Sequence, residues 1–309
     1  MDDSEDGGLA GMGRVRDKQP RMDIALITCA HMPELTPDEQ RLFAPLRARG
    51  LSPRVEVWDD PAVDWTRYRI AVVRTIWDYF LKPVAFLEWL ERVESQVALF
   101  NSPDVLRWNS PKSYLLALAG RGLPVTPTVL CPRGEKASLP ALVAERGWGA
   151  VVIKPAVSGG GRLTRRFERT RLADEGQAHL ETVLTEGDAL VQPFLPALHA
   201  GGERSYIFIE GVFSHAVERP ATMEAPGGGT PDGVALAPRA EELALSERVV
   251  AATPERTLYA RVDLATGLEG TPLLQELEVI EPRLFLGASE GAAERLSDAI
   301  ARQARATSR

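Results

Sequence analysis

Lys154 closes an apolar run, AVVIK at 150–154, and PAVSGGGRLT follows it. An ammonium at the end of a buried strand must be paired or face a ligand. Ser158, Gly159, Gly160 and Gly161 carry little or no side chain, so their backbone N–H groups can approach a polyphosphate closely. The pattern is neither a Walker P-loop nor GxGxxG, and alone it also describes a hairpin loop with a snorkelling lysine. A second group is acidic. In LLQELEVI (273–280), period-two alternation sends Glu276 and Glu278 to one strand face and Leu277 and Val279 to the other. Pairing with LYARVDL (258–264) would add Asp263. Clustered carboxylates repel without a cation between them, and such hard oxygen ligands suit Mg²⁺ bridging phosphates. A solvated strand face is the alternative. Arg204 and Arg219 bracket residues 205–218, where planar guanidinium groups could fork onto phosphate or carboxylate. Taken singly, each also reads as a surface ion-pair partner, and Lys112 reads as a solvated lysine.

These residues need elements to hold them. From Asp23 the chain alternates: strand DIALIT (23–28), helix 37–49, strands RVEVW (54–58) and IAVVRT (70–75), helix 83–94. Alternation of this kind implies a parallel sheet wrapped by helices, with ligands beyond the carboxyl ends of the strands. Arg74 stands at such an end and is expected to hold an anionic substrate group, with an ion pair to Asp78 or another local acid as the alternative. A new unit starts near Trp108, with Ser110 as N-cap and Pro111 in the first turn of a helix carrying Lys112. Strands at 128–130, 150–154 and 189–195 enclose helices near 138–146 and from 172. Residues 205–218 read as a hairpin turning at Glu210-Gly211, followed by a helix at 238–252, the two carboxylate-bearing strands and a last helix from about Ser289. The second half is therefore antiparallel α+β. The expected divisions are a disordered tail at 1–21, an α/β domain at 22–108, a lobe with the glycine loop at 109–190, and a lobe with the acidic strands at 191–309.

Composition restricts the partners. The 309 residues carry 36 Lys+Arg against 43 Asp+Glu, a formal charge of −7, which argues against a nucleic-acid backbone or an anionic membrane as main partner. Cys29 and Cys131 cannot build a disulfide framework and suit a reducing cytosol. His31, His179, His199 and His215 are too scattered for a zinc site of usual spacing. No apolar run is long enough for a membrane span.

The order lysine at a helix start, strand-end lysine with glycine loop, connector, arginine-hairpin-arginine, then Asp and Glu-x-Glu resembles the ATP-grasp fold, specifically the nucleotide-binding half of bacterial glutathione synthetase. The phrases carrying the resemblance are PKSYLLALAGRGLPVTPT, VVIKPAVSGGG, LVQPFLPALHAGGERSYIFIEGVFSHAVER, and ARVDL with ELEVIEP, from about Asn109 to Leu286, behind a pre-ATP-grasp domain. The resemblance implies that Lys112 and Lys154 contact ATP phosphates and that Ser158, Gly159, Gly160 and Gly161 cover them. It also implies that Gln192, Pro193, Phe194 and Leu195 offer backbone hydrogen bonds to adenine. Arg204 and Arg219 would stabilise the transferring phosphoryl group and an acyl-phosphate. Asp263, Glu276 and Glu278 would hold Mg²⁺, or Mn²⁺ in its place. Many members have Asn where Glu278 stands.

RTIWDY (74–79), WDDPAVDW (58–65), LPALHAGGERS and ELEVIEPRLFL look further like the ATP-grasp cyclo-ligases of D-cycloserine biosynthesis and their relatives. Two departures touch the expected substrate pocket: the stretch PATMEAPGGGTPDG (220–233), and Arg283 where relatives tend to have a small hydroxyl residue. The resemblance implies a cytoplasmic ligase that activates a small amino-acid-like carboxylate as acyl-phosphate, releases ADP and phosphate, and joins the acyl group to an amine. Homodimers are common in the resembling families. An intramolecular cyclase and a non-catalytic nucleotide-binding module are the alternatives.

Overall fold

The computed structural model describes residues 22–197, 202–219 and 233–307. The expected tail at 1–21, His199 and nearly all of the divergent stretch at 220–233 lie outside the described residues. The first sheet holds β1 (Met22–Thr28), β2 (Leu51–Val57), β3 (Ile70–Thr75) and β4 (Ala98–Phe100), all parallel, in the order β2-β1-β3-β4. Its inner strands β1 and β3 are buried and mostly apolar on both faces, as a parallel sheet covered on both sides requires. Ala25, Ile27, Ala71 and Val73 pack under α3 (Pro83–Val93) through Phe86, Trp89, Leu90 and Val93. Ile24, Leu26, Ile70 and Val72 face the other way. The expected helix at 37–49 is two short ones, α1 (Pro37–Gln40) and α2 (Phe43–Ala48). Pro45 has no N–H to give to the carbonyl of Arg41, so one continuous ladder cannot form.

A further helix, α4 (Pro103–Asn109), starts at a Ser-Pro pair: Ser102 caps it, its side chain accepting from the N–H of Val105. Ser110 therefore ends α4 instead of capping the next helix, which is α5 (Tyr114–Gly120). Lys112 lies in the turn between them, its N–H bonded to the carbonyl of Ala156 at 2.7 Å.

The second sheet is antiparallel, order β5-β8-β6-β7, from β5 (Val129–Cys131), β6 (Val151–Pro155), β7 (Arg165–Phe167) and β8 (Ala189–Pro193). The helices α6 (Leu139–Glu145) and α7 (Gln177–Glu186) share its core. The third sheet, also antiparallel, runs β11-β10-β9-β12-β13, from β9 (Glu203–Ile209), β10 (Val212–Arg219), β11 (Val234–Leu236), β12 (Tyr259–Thr266) and β13 (Pro272–Glu278). One face, with Tyr206, Phe208, Val262 and Leu264, packs on α5 and on α8 (Ala240–Ala251). The other face, with Ile207, Val217 and Tyr259, closes the core of the first sheet together with α9 (Ala292–Ala306).

Two expected divisions are thereby altered. Residues 109–123 build the core of the third sheet instead of the glycine-loop lobe, because Tyr114, Leu115, Leu118 and Leu123 are buried there. The last helix returns to the first sheet: Leu296 and Ile300 join its core, and Arg49 pairs with Asp298 at 2.6 Å. No described helix is long and apolar enough to cross a membrane.

Candidate active site

A cavity of about 830 Å³ lies where the three sheets meet. The carboxyl ends of β1 and β3 supply its wall on one side, through His31, Trp77 and Tyr79. The β6 loop and the end of β8 supply the second, and β9, β10, β12 and β13 the third.

The lysines and the glycine loop come together on the cavity wall. Lys112 and Lys154 both line the cavity, 9 % and 6 % exposed, as do Ser158, Gly159, Gly160 and Gly161. Lys112 donates to Glu276, and this carboxylate outweighs burial and raises its pKa. Lys154 makes no ion pair among the described residues. Burial lowers its pKa, Glu276 opposes that, and Lys112 adds to it. A buried ammonium facing a cavity without a counter-ion is poised for an anionic ligand. The loop is glycine for two physical reasons. A Cβ on Gly159 would stand 2.5 Å from the Phe80 ring, and Gly160 and Gly161 hold φ of +58° and +71°. Ser158 closes the turn, Oγ donating to the carbonyl of Pro155.

Gln192, Pro193, Phe194 and Leu195 line the same cavity. Gln192 is tied by Nε2 to Thr128 Oγ1 at 2.8 Å. The N–H of Phe194 is bonded to the carbonyl of Ala150 at 2.9 Å, which removes it as a donor to a ligand base. Arg166 lies 3.6 Å over the Phe194 ring.

The third wall differs from expectation. Pairing sets Asp263 opposite both Ser205 and Glu276, Arg261 opposite Glu278, and Arg219 opposite Glu203, so these side chains share one face. Arg204 does not. It pairs with Glu218, lies on the opposite face, is held by Glu242 Oε2 at 2.7 Å, and is absent from the cavity wall. The pairing of β9 with β12 is the cause, since it sets Arg204 opposite Leu264; the register shift at Ser214 in turn brings Arg219 to the face of Asp263, because without it Arg219 would fall on the same face as Arg204. The expected catalytic role of Arg204 is therefore withdrawn. Arg261 occupies the cavity wall instead.

Asp263, expected as a metal ligand, is fully buried behind the arginines. Its Oδ2 accepts from Arg261 at 2.8 Å and Arg219 at 3.1 Å, and its Oδ1 from Ser205 at 2.6 Å. Burial alone would raise this carboxyl, but Arg261 and Arg219 hold it at about 2. Glu276 and Glu278 do line the cavity. Glu278 accepts from Arg261, yet burial, with Glu276 and Asp263 nearby, lifts it to about 7. Glu203, paired with Arg219, is likewise lifted by burial to about 7. Such crowding of oxygen donors fits a divalent cation by chemistry. Among the described residues, however, no three acidic, His or Cys side chains converge on one metal position. The expected three-carboxylate set is thus reduced to Glu276 and Glu278.

Arg74 is also not where expected. Its guanidinium is 0 % exposed and forks onto Glu39, Nε–Oε2 at 2.8 Å and Nη2–Oε1 at 2.6 Å. It stacks 4.4 Å from the Tyr259 ring and donates to the carbonyl of Pro282. It does not line the cavity. With its charge neutralised and its fork filled, it has nothing left for a substrate carboxylate, so that expectation is withdrawn. Arg283 does reach the wall.

Sequence reasoning missed Arg261, Glu203, Tyr79 and Glu281. For Arg261 a signal existed, since it stands two residues before Asp263 on the same strand and so must share its face.

This architecture is that of the ATP-grasp ligases. The chain is 30% identical over 302 residues to the cycloserine biosynthesis protein DcsG of Streptomyces lavendulae, covering 90% of this chain and 97% of that protein. The family described as D-cycloserine synthetase DcsG, N-terminal domain, matches residues 24–101. The crystal structure of D-cycloserine synthetase DcsG superposes with TM-score 0.83 at 29% identity, covering 91% of this chain and 99% of that one. The D-alanine–D-alanine ligase of Bacillus anthracis complexed with ATP shares the fold, with TM-score 0.66 at 16% identity, covering 92% and 97%. The chain belongs to the ADP-forming ATP-grasp ligases and, within them, to the family of DcsG.

Proposed function

We propose that the protein joins a carboxylate to a nitrogen nucleophile at the expense of ATP, through an acyl-phosphate. One observation carries this reading: two lysines, a glycine loop, two arginines and paired carboxylates from separate segments all line one cavity. The substrate carboxylate oxygen attacks the γ-phosphorus, the bond to the β-phosphate oxygen breaks, and ADP leaves. The amine then attacks the acyl carbon, phosphate departs, and the amine loses its proton.

Lys112, Lys154 and the loop at Ser158, Gly159, Gly160 and Gly161 bind the phosphates. Gln192, Pro193 and Leu195 form the adenine edge of the same cavity. Arg219 and Arg261 neutralise charge on the transferring phosphoryl group and on the tetrahedral oxyanion, and Asp263 fixes both guanidinium groups in place. Glu276 and Glu278 would hold Mg²⁺, which supplies charge neutralisation at the phosphates when bound. Phosphoryl transfer needs positioning more than covalent chemistry, so no side-chain nucleophile is required.

Likeness over nearly the full length to a D-cycloserine synthetase favours a second, narrower reading, in which acid and nucleophile belong to one amino-acid-like molecule and the product is a ring. The two readings differ in whether a separate amine is consumed. Incubation with Mg·ATP and a panel of amino acids should release ADP and phosphate, and hydroxylamine should trap a hydroxamate. Release of AMP and pyrophosphate with the productive acid would refute the acyl-phosphate route and the roles of both arginines.

A further inference from the structure

A lysine and a glutamate on the cavity wall have no ion-pair partner among the described residues. One is Lys154, on the nucleotide side. The other is Glu281, three residues past Glu278, where the chain leaves β13 toward the first sheet. Its carboxyl group lies on the cavity wall without a lysine or arginine in ion-pair contact among the described residues; burial, with Glu278 and Glu276 nearby, pushes its pKa up, and Lys112 opposes them. The hydroxyl of Tyr79, a residue 3 % exposed, also ends in the cavity without a hydrogen-bond partner among the described residues. The two segments are fixed to one another, because the indole N–H of Trp77 donates to the carbonyl of Glu281 at 3.0 Å, and Arg74 holds the next carbonyl, Pro282, at 3.0 Å.

We propose that Glu281 and the Tyr79 hydroxyl form the subsite for the ammonium group of an amino-acid substrate, an inference that rests on the ligase reading. A carboxylate beside other carboxylates repels the acid group of a substrate, which is drawn to Arg219 and Arg261. The opposite end of a zwitterion then falls to Glu281. An ammonium there offers three donors, which the Glu281 carboxylate and the Tyr79 oxygen can accept. The Trp77 ring, also on the wall, adds an apolar face suited to a cation. The site thus discriminates amino acids from hydroxy acids of the same shape: an ammonium forms a charge-assisted hydrogen bond with the Glu281 carboxylate, which a neutral hydroxyl cannot match.

The test uses the full chain with Mg·ATP, free α-amino acids of both hands, and the α-hydroxy acid matching each one. ADP release should be stimulated by amino acids, with kcat/KM about 100-fold lower for the hydroxy counterpart. Glu281→Gln should raise KM for the amino acid by about 10- to 100-fold, leave KM for ATP within about 3-fold, and erase the discrimination. Glu281→Asp should restore part of it. Tyr79→Phe, which keeps the ring, should cost about 5- to 10-fold in the same KM. Equal use of both acid series by the wild type, or discrimination surviving Glu281→Gln, overturns the subsite alone. So does a Glu281→Gln defect that excess Mg²⁺ repairs, since Glu281 would then serve a cation from solution. Failure of every acid in either series to stimulate ATP turnover removes the ligase reading and this inference with it.

Discussion

Arg74 offers a clean contest between a binding role and a structural one. Its guanidinium and the Glu39 carboxylate are 0 % and 3 % exposed and meet in a two-bond fork. Removing one member of such a pair strands the other as a buried charge, at a cost of about 3–5 kcal/mol. Unfolding entropy of about 2.1 cal/mol/K per residue over 309 residues gives about 0.65 kcal/mol/K, so Arg74→Met should lower the melting temperature by about 5–8 °C. Glu39→Gln should do nearly the same. Arg74→Met combined with Glu39→Leu should recover all but about 1–2 kcal/mol, because two apolar side chains leave no charge behind. The lost contact to the Pro282 carbonyl will still loosen the segment bearing Glu281 and Arg283, so the acid KM should rise modestly in both proteins that lack Arg74. Scanning calorimetry on these four proteins and on Arg74→Lys, with ADP-release kinetics alongside, decides the matter. A wild-type melting temperature for Arg74→Lys together with an acid KM raised more than 10-fold would refute this reasoning and return Arg74 to the substrate.

Lys154→Met should weaken ATP binding by about 10- to 1000-fold by calorimetry with folding intact, and unchanged affinity would remove Lys154 from the nucleotide site. Arg219→Gln and Arg261→Gln should each reduce kcat by at least about 100-fold, whereas Arg204→Gln should change it by less than about 5-fold; a collapse in Arg204→Gln would contradict the strand register. His215 is buried with Nε2 on the Leu284 carbonyl, and burial, reinforced by Arg295 and opposed by Asp38, lowers its pKa below 6.5. Its contribution to stability is therefore complete above about pH 6.5 and is lost as the pH falls through the lower folded value. His215→Gln should flatten the dependence of unfolding free energy on pH over that acidic window.

The parts of the fold that follow period-two or helical spacing could be read directly. The parallel sheet came from alternating strands and helices, the hairpin from the Glu210-Gly211 turn, and the shared face of Glu276 and Glu278 from period-two spacing. What could not be read were defects and choices between equal signals. A single extra residue at Ser214 inverts the face of everything beyond it, and no residue type there announces a bulge. Ser102-Pro103 and Ser110-Pro111 carry the same capping signal, and the first starts the helix because the turn after Asn109 must return Lys112 to Ala156. For Arg74, position at a strand end suggested a ligand, but Glu39 on α1 lies 35 residues away in sequence, and only tertiary packing joins them. Tyr79 and Glu281 meet the same cavity from distant segments, which local pattern cannot show.

The charges lining the cavity are arranged so that most serve as counter-ions to one another before any ligand arrives. Lys112 with Glu276 is the simplest case, a direct ion pair between side chains that are 11 % and 21 % exposed. On the proposed reading these two have separate tasks, Lys112 on a phosphate and Glu276 on Mg²⁺, so the pair must part when Mg·ATP binds. Stability and turnover should then respond differently to its removal. Lys112→Met or Glu276→Gln alone leaves a half-buried charge without its partner and should cost about 1–3 kcal/mol of stability. The two substitutions together remove both charges and should restore stability to within about 1 kcal/mol of wild type. Turnover should remain at least about 100-fold down in all three, because each lost group has its own ligand. Thermal unfolding and ADP release on the four corners of this cycle measure both responses. Turnover recovering in step with stability in the double variant would mean that the pair is a structural clasp and that neither residue touches the nucleotide or its metal.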